Sequence, residues 1–213
     1  SRICSLAFLT FLTHVAIADE NGAAEQLVAQ LQFNWAETNY QLEGDAQEAA
    51  FEELVIQANS ITSSHQDNAP AWIWSGIVKS TFAGVKGGLG ALGLAKESKK
   101  DLEKAMKIDA NALDGSAYAS LGTLYFSVPG WPVGFGDDDK AEELLLKALS
   151  INSVSIDNNY FYASFLISEK RYDDARKFLL TAQHAPARAN RPIADAGRQK
   201  EITIALTDIQ GKH

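Results

Sequence analysis

Residues 116–151 read SAYASLGTLYFSVPGWPVGFGDDDKAEELLLKALSI and carry strong helical signals on both sides of a Pro- and Gly-rich segment. Asp137 can cap a helix, because its carboxylate can accept hydrogen bonds from the first free amides. Asp138 and Asp139 place negative charge in the first turn, where it opposes the helix dipole. Apolar residues then recur at three- and four-residue spacing and form one face: Ala141, Leu144, Leu145, Ala148 and Leu149. The stretch therefore predicts two helices joined by a loop.

The same helical spacing extends over the rest of the chain, and the alternation typical of β-strands is nearly absent. We predict helices at residues 23–42, 45–61, 71–82, 96–108, 116–126, 137–149, 158–168, 172–183 and 193–209. The fold class expected is all-α. The predicted organisation is a single helical-repeat domain over 19–213, with hairpins at 23–62, 70–109, 112–152 and 156–184 and a C-terminal capping helix at 193–210.

The hairpins share a pattern of small residues. Segments 105–111 (AMKIDAN) and 148–153 (ALSINS) both begin with Ala and run into a turn. Gly76, Gly122 and Ala163 occupy the preceding helices, where two backbones can approach closely because no large side chain separates them. The expected partners in the second helices are Ala105, Ala148 and Ala182.

These positions resemble the tetratricopeptide repeat. Tyr118, Leu121, Gly122 and Tyr125 fall at the spacing of the aromatic, Leu, Gly and Tyr positions of that family. Further matches are Ala141, Leu145, Ala148, Ala163, Leu166, Tyr172, Ala175, Leu179 and Ala182. The resemblance covers residues 70–185 well and 25–65 weakly, and the second and third pairs carry inserted residues. It implies a right-handed α-solenoid of helical hairpins.

The two inserted segments, 84–93 and 128–137, extend the resemblance. Together with residues 191–198 they are similar to uncharacterised exported bacterial tetratricopeptide proteins. The layout is also similar to the regulator of microtubule dynamics proteins and, distantly, to the T component of tripartite periplasmic transporters. These similarities imply a binding or scaffold role, and they carry no catalytic residues to transfer.

The N-terminus has the features of a secretory signal peptide. Arg2 precedes a short apolar stretch, and the small-x-small sequence at residues 16–18 leads directly into Asp19 and Glu20. We expect cleavage after Ala18 and a periplasmic or secreted protein; the alternative is a buried N-terminal helix. The one cysteine, Cys4, lies inside this segment, so residues 19–213 offer no thiol for a disulfide or a metal site. We expect no transmembrane segment.

Charge indicates which partners are unfavourable. The chain has 27 Asp and Glu residues against 19 Lys and Arg residues, a formal net charge of −8. Such a balance repels nucleic acid at long range, so we expect no nucleic-acid partner.

The sequence offers only weak signals for a cofactor site, a metal site or a catalytic site. Residues 88–93 (GLGALG) satisfy the pattern G-x-G-x-x-G, but no strand precedes them, so we interpret them as a Gly-rich insertion between two helices. The acidic run 137–139 is better explained by helix capping than by a cation site. The histidines lack metal-ligand spacing, and no nucleophile–base motif is readable. We therefore expect no cofactor, no metal and no enzymatic activity.

Binding residues follow from the register of the repeat, because the first helix of each hairpin lines the concave face in the tetratricopeptide family. The predicted groove residues are Ile77, Thr81, Ala119, Thr123, Phe126, Tyr160 and Ser164. Trp131 and Phe135 in the inserted loop are further candidates for binding, or alternatively fill the core. Arg188 and Arg191 are candidate anion contacts, unless they pair with local acids such as Asp195.

The expected function is non-catalytic binding of another protein or peptide in the concave groove. One alternative is an accessory subunit of a solute transporter that binds a hydrophobic small molecule, which a closed apolar cavity would favour. A second alternative is a hydrolytic enzyme, which would need a polar pocket with convergent titratable groups.

Overall fold

The computed structural model describes the backbone of residues 9–212 and the side chains of residues 22–88 and 90–212. This part of the chain is all-helical, which confirms the predicted fold class, and its β-structure is a single isolated bridge between Gly130 and Gly136. The helices are α1 (Leu9–Gln41), α2 (Gly44–Ser64), α3 (Ala69–Lys86), α4 (Gly88–Asp109), α5 (Ala112–Ser127), α6 (Asp138–Ile151), α7 (Ile156–Ser168), α8 (Tyr172–Gln183) and α9 (Pro192–Asp208).

Each predicted helix has a counterpart, and local signals explain several of the ends. Asp137 accepts a hydrogen bond from the backbone N–H of Lys140 at 3.0 Å, as expected of an N-cap. Asn68 caps α3 in the same way through Ala71. In α5, residues 113–115 have positive φ, so the regular helix begins at Ser116, as predicted.

The interpretation of residues 88–93 as an insertion between two helices is wrong. Gly87, with φ +61°, ends α3, and α4 begins at once with Gly88. Glycine disfavours helix by about 1 kcal/mol relative to alanine. Packing offsets this cost, because Ala91, Leu94 and Ala95 extend the apolar face of α4 into a buried cluster. The other inserted segment, 128–137, connects α5 and α6 as a turn-rich loop.

The described part of the chain includes only some of the residues of the predicted signal peptide. Helix α1 begins at Leu9, within the predicted signal segment 1–18, while residues 1–8 lie outside the described part of the chain. Within the helices that the structure describes, none is long and apolar enough to cross a membrane.

Small residues allow the helix pairs to pack closely. A Cβ added to Gly76 would lie 2.6 Å from Cγ of Leu102 in α4, and one added to Gly122 would lie 2.8 Å from Cγ of Leu145 in α6. Both glycines are buried. The corresponding alanines are fully buried: Ala105, Ala148, Ala163, Ala175 and Ala182. The close approach expected from the sequence is therefore present in both pairs.

Contacts between helices follow an alternating order. Each helix contacts the next one along the chain, and the odd-numbered helices also contact each other: α1 with α3, α3 with α5, α5 with α7, and α7 with α9. Even-numbered helices of the described chain make no such contacts among themselves. The odd-numbered helices are thus the inner ones.

Helix α9 also contacts α1, which the sequence did not predict. Gly197 of α9 lies flat against the Tyr40 ring of α1, and the Tyr40 hydroxyl is 3.4 Å from Oε2 of Glu201. Ala194 joins the buried cluster that contains Trp35 and Val28. The contacts of the odd-numbered helices therefore close into a cycle, and we call the α1–α9 contact the seam.

Candidate functional site

A cavity of about 930 Å³ lies among the odd-numbered helices, and we call it the central cavity. Its volume is at the upper end of the range of about 300–1,000 Å³ typical of small-molecule sites. Helices α1, α3, α5, α7 and α9 all contribute to the wall, together with the start of α4 and parts of the loops after α5, α6 and α8. The cavity thus occupies the space that the cycle of inner helices encloses.

Three aromatic residues form the wall beside the seam. Trp35 of α1 packs edge-on against Trp74 of α3, with ring centroids 5.6 Å apart, and against Tyr40 at 5.8 Å. The Trp35 indole N–H donates to Oγ1 of Thr81 at 3.0 Å, which fixes the ring. Burial raises the pKa of Tyr40 to about 12, so its phenol is neutral at physiological pH.

The structure brings four of the seven predicted groove residues to the cavity wall: Ile77, Thr81, Ala119 and Thr123. The others lie elsewhere. Phe126 packs edge-on against Phe165, at a centroid distance of 5.8 Å, inside a buried cluster. Tyr160 turns toward α9, where its ring lies under the Arg198 guanidinium. Ser164 lies one turn further along the same helix, is half-buried and is not part of the cavity wall.

The hydroxyl groups of the predicted groove residues already donate hydrogen bonds to the backbone. Thr81, Thr123 and Ser164 each donate to the carbonyl oxygen four residues earlier, at 2.8 to 2.9 Å. A hydroxyl committed in this way can still accept a hydrogen bond but no longer donates one. Donors for a ligand in the central cavity must therefore come from other side chains.

Charged side chains cluster where α7 meets α9. Arg188 binds Asp157 through Nη1 at 2.7 Å and Asp195 through Nε at 2.8 Å. Arg198 binds the other oxygen of Asp157 through Nε at 2.9 Å and also pairs with Glu201. The prediction that the arginines pair with local acids such as Asp195 thus describes Arg188.

This network perturbs the titration of its members. Burial alone would raise the pKa of Asp157, but the Arg198 and Arg188 cations lower it to about 2. Burial alone would lower the pKa of Arg198, but the Asp157 carboxylate acts together with Tyr40, Glu201 and Tyr160 to outweigh that effect, so this pKa is raised. The ion pairs therefore stay charged at physiological pH and tie α7 to α9.

Arg191 differs from its two neighbours. Its guanidinium makes no ion pair or hydrogen bond with the described residues and stacks on the Trp74 ring, with Cζ 4.9 Å from the ring centroid. Burial lowers the pKa of Arg191 and the nearby Arg188 cation adds to this, while the Asp157 and Asp195 carboxylates act in the opposite direction. Arg191 is thus a half-buried cation on the cavity wall that forms no direct ion pair with a described side chain.

The two candidate residues of the inserted loop behave differently. Phe135 folds back and packs edge-on against Tyr125, with ring centroids 5.6 Å apart. Trp131 is 90% exposed, while Val133 of the same loop reaches the cavity wall. One ring therefore contributes to the core, and the other stands at the surface beside the cavity.

Sequence reasoning missed several residues of the wall: Trp35, Tyr40, Asp157, Phe161 and Glu201. Their positions depend on how α1, α7 and α9 pack against the other inner helices, which local sequence patterns do not specify. It also missed a buried ion pair between α3 and α4, in which Nζ of Lys79 lies 2.6 Å from Oδ2 of Asp101. Trp74 and Ile77 are three residues apart and therefore share one face of α3, and this spacing is the sequence signal that could have predicted the α3 part of the wall.

No group of three or more His, Cys, Asp or Glu side chains among the described residues is arranged to hold a metal ion. The chain matches no family model, and no curated protein matches it.

Proposed function

We propose that this chain is a non-catalytic binding protein whose ligand lies in the central cavity. The observation that carries the proposal is the cavity itself, a space of about 930 Å³ with aromatic walls inside the cycle of inner helices. Ligand sites in proteins are typically concave, mostly apolar and supplied with few polar groups. Because the seam joins α9 to α1, the inner helices surround this space on several sides, which favours a ligand held within it over a chain laid along an open groove. A hydrophobic small molecule is therefore the favoured ligand.

The architecture we propose is a right-handed α-solenoid of tetratricopeptide-like hairpins. Two features support it: the alternating contacts of α1 to α9, and the close approach of Gly76 and Gly122 to the second helix of each pair. In such repeats each unit packs mainly on its neighbours, and the concave surface binds. The exported location, with cleavage after Ala18, also remains a proposal, and N-terminal sequencing of secreted protein that starts near Asp19 would support it.

A cavity-filling substitution tests the binding proposal. Thr123→Phe places a ring in the central cavity, because Thr123 is half-buried on its wall. Thr203→Phe is the matched control, since Thr203 is exposed on α9 and donates to its own helix as Thr123 does. We expect the neutral fluorophore N-phenyl-1-naphthylamine to bind the unmodified protein and the control, with Thr123→Phe weakening binding about tenfold or more. Equal binding by all three proteins would contradict the proposal.

A partner protein at the inserted loop is the second candidate. The observation in its favour is the exposure of Trp131, at 90%, and of Val133, at 63%. Exposed aromatic residues are frequent anchors in protein interfaces. Capture experiments with residues 19–213 and with Trp131→Ala test it: a specific partner should be lost with the substitution. Retention of every captured protein by Trp131→Ala would exclude the loop as the docking site.

A further inference from the structure

We infer that Arg191 and the indole N–H of Trp74 form an oxyanion subsite at one end of the central cavity, so that the ligand is an amphipathic molecule with one carboxylate or phosphate group. This inference rests on the proposed function, because it assigns the chemical class of the ligand that the cavity binds. The two residues come from α9 and α3 and meet beside the seam.

The first donor is the guanidinium of Arg191. It has no acidic partner within the described residues, although Arg188 and Arg198, which flank it in sequence, each pair with two carboxylates. An arginine donates through a planar fork that fits carboxylate and phosphate oxygens. A bound anion would give Arg191 the direct ion pair that the described side chains do not provide.

The second donor is the Trp74 indole. The Trp74 side chain is 3% exposed, and its N–H makes no hydrogen bond within the described residues. Among the described residues, every side-chain nitrogen or oxygen that is fully buried from solvent has a hydrogen-bond partner. The Trp74 N–H therefore faces open space, and the open space that Trp74 borders is the central cavity. The Trp74 N–H is thus accessible from the cavity, where a ligand oxygen can accept its hydrogen bond.

The surroundings favour an oxyanion over a cation or a neutral polar group. The guanidinium stacks on the same ring that carries the free N–H, with Cζ 4.9 Å from the ring centroid, so the two donors lie close to each other. Arg191 is also the N-cap of α9 and forms no side-chain cap, and the helix start adds partial positive charge. The nearby carboxylates of Asp157 and Asp195 act on Arg191 electrostatically, but their direct hydrogen bonds are to Arg188 and, for Asp157, also to Arg198.

The rest of the wall defines the other part of the ligand. Away from the subsite, the wall combines neutral polar side chains, such as Gln32, Asn39 and Ser120, with apolar ones: Ile77, Leu92, Leu124, Val128, Val133 and Phe161. The threonine hydroxyls between them have donated their protons to backbone carbonyls. This surface suits a hydrocarbon body, whose burial contributes about 0.8 kcal/mol for each methylene group.

Calorimetric titration with three probes of equal chain length tests the subsite: decanoate, decyl phosphate and the neutral decanol. We expect at least one of the two anions to bind the unmodified protein about tenfold or more tightly than decanol, as a charge-assisted hydrogen bond would provide. Arg191→Gln should remove this preference and leave the affinity for decanol unchanged. Trp74→Phe, which keeps a ring and loses the N–H, should reduce the preference in part.

Two further variants make the test specific. Lys200→Gln removes a positive charge from an exposed position of the same helix, and it should leave all three affinities unchanged. Arg191→Lys keeps the charge and should retain part of the preference, which separates loss of charge from loss of folding. Circular dichroism checks the fold of each variant.

The outcomes separate the two proposals. If decanol binds as tightly as both anions, or if Arg191→Gln keeps the preference, the oxyanion subsite is wrong while the binding cavity stands. If none of the three probes binds and N-phenyl-1-naphthylamine also fails to bind, the proposed function is wrong and the subsite falls with it.

Discussion

Replacing Gly197 by Ala tests whether α9 is seated against α1. The added Cβ would lie 2.4 Å from two ring carbons of Tyr40 and 2.5 Å from a third, well inside van der Waals contact. The ring has little room to retreat, because it packs edge-on against Trp35 at 5.8 Å and its hydroxyl is 3.4 Å from Glu201. Either the ring moves or the seam opens.

The magnitude follows from two opposing effects. Overpacking a close contact costs about 1–3 kcal/mol, and three rigid ring atoms place this site in the upper half of that range. Alanine gains about 1 kcal/mol over glycine inside a helix. We therefore expect Gly197→Ala to lower the free energy of unfolding by about 1–2 kcal/mol.

Gly93→Ala is the matched control. Gly93 is also helical and exposed, and nothing lies within 4 Å of a Cβ added there. The same chemical change should therefore raise the free energy of unfolding by up to about 1 kcal/mol. Urea unfolding followed by far-UV circular dichroism measures both variants, with unchanged m-values as the check on two-state behaviour. A stabilising effect of Gly197→Ala equal to that of Gly93→Ala would refute the seam.

Three other perturbations have defined outcomes. The lowered pKa of Asp157 contributes about 2 kcal/mol to the free energy of unfolding, and this contribution is present above about pH 4 and lost as the pH falls through about 2. In urea titrations across this window, the difference in unfolding free energy between the unmodified protein and Asp157→Asn should therefore shrink as the pH falls. Lys79→Met should cost about 3–5 kcal/mol by leaving the Asp101 carboxylate buried and unpaired, and adding Asp101→Leu should recover most of that loss in the same assay. Gly122→Ala should lower the melting temperature, because the new Cβ would lie 3.1 Å from the carbonyl oxygen of Ala141, which a rotamer change cannot move; an unchanged melting temperature would contradict the close α5–α6 approach.

The helices were predictable because their signals are local. The cap at Asp137 and the apolar face behind it lie within one turn of each other, so short-range physics suffices to locate α6. The start of α4 was not predictable in this way. Glycines at 88, 90 and 93 argue against a helix, and it is the burial of Ala95 and its neighbours against other helices that outweighs this local preference.

The candidate site was predictable only where it follows the repeat. Ile77 and Thr123 reach the central cavity through helical register alone. Trp35 reaches it through the packing of α1 on α3, and Asp157 through the packing of α7 on α5 and α9, and no pattern of a few residues encodes these contacts. Phe126 shows the opposite error: register places it on the concave side, yet an aromatic partner, Phe165, draws it into the core.

The contact between the first and last helices affects the order of assembly during synthesis. Tyr40 and Glu201 are 161 residues apart in sequence, so one side of the seam is made long before the other. The helices before α9 can pair as they are translated, but the part of the central cavity wall that α9 contributes forms only after α9 has been synthesised. A molecule held inside would bridge both sides and stabilise their junction by mass action. If the proposed ligand binds in the central cavity, loading follows the synthesis of α9, and an occupied cavity should protect the α1–α9 contact from opening more than an empty one.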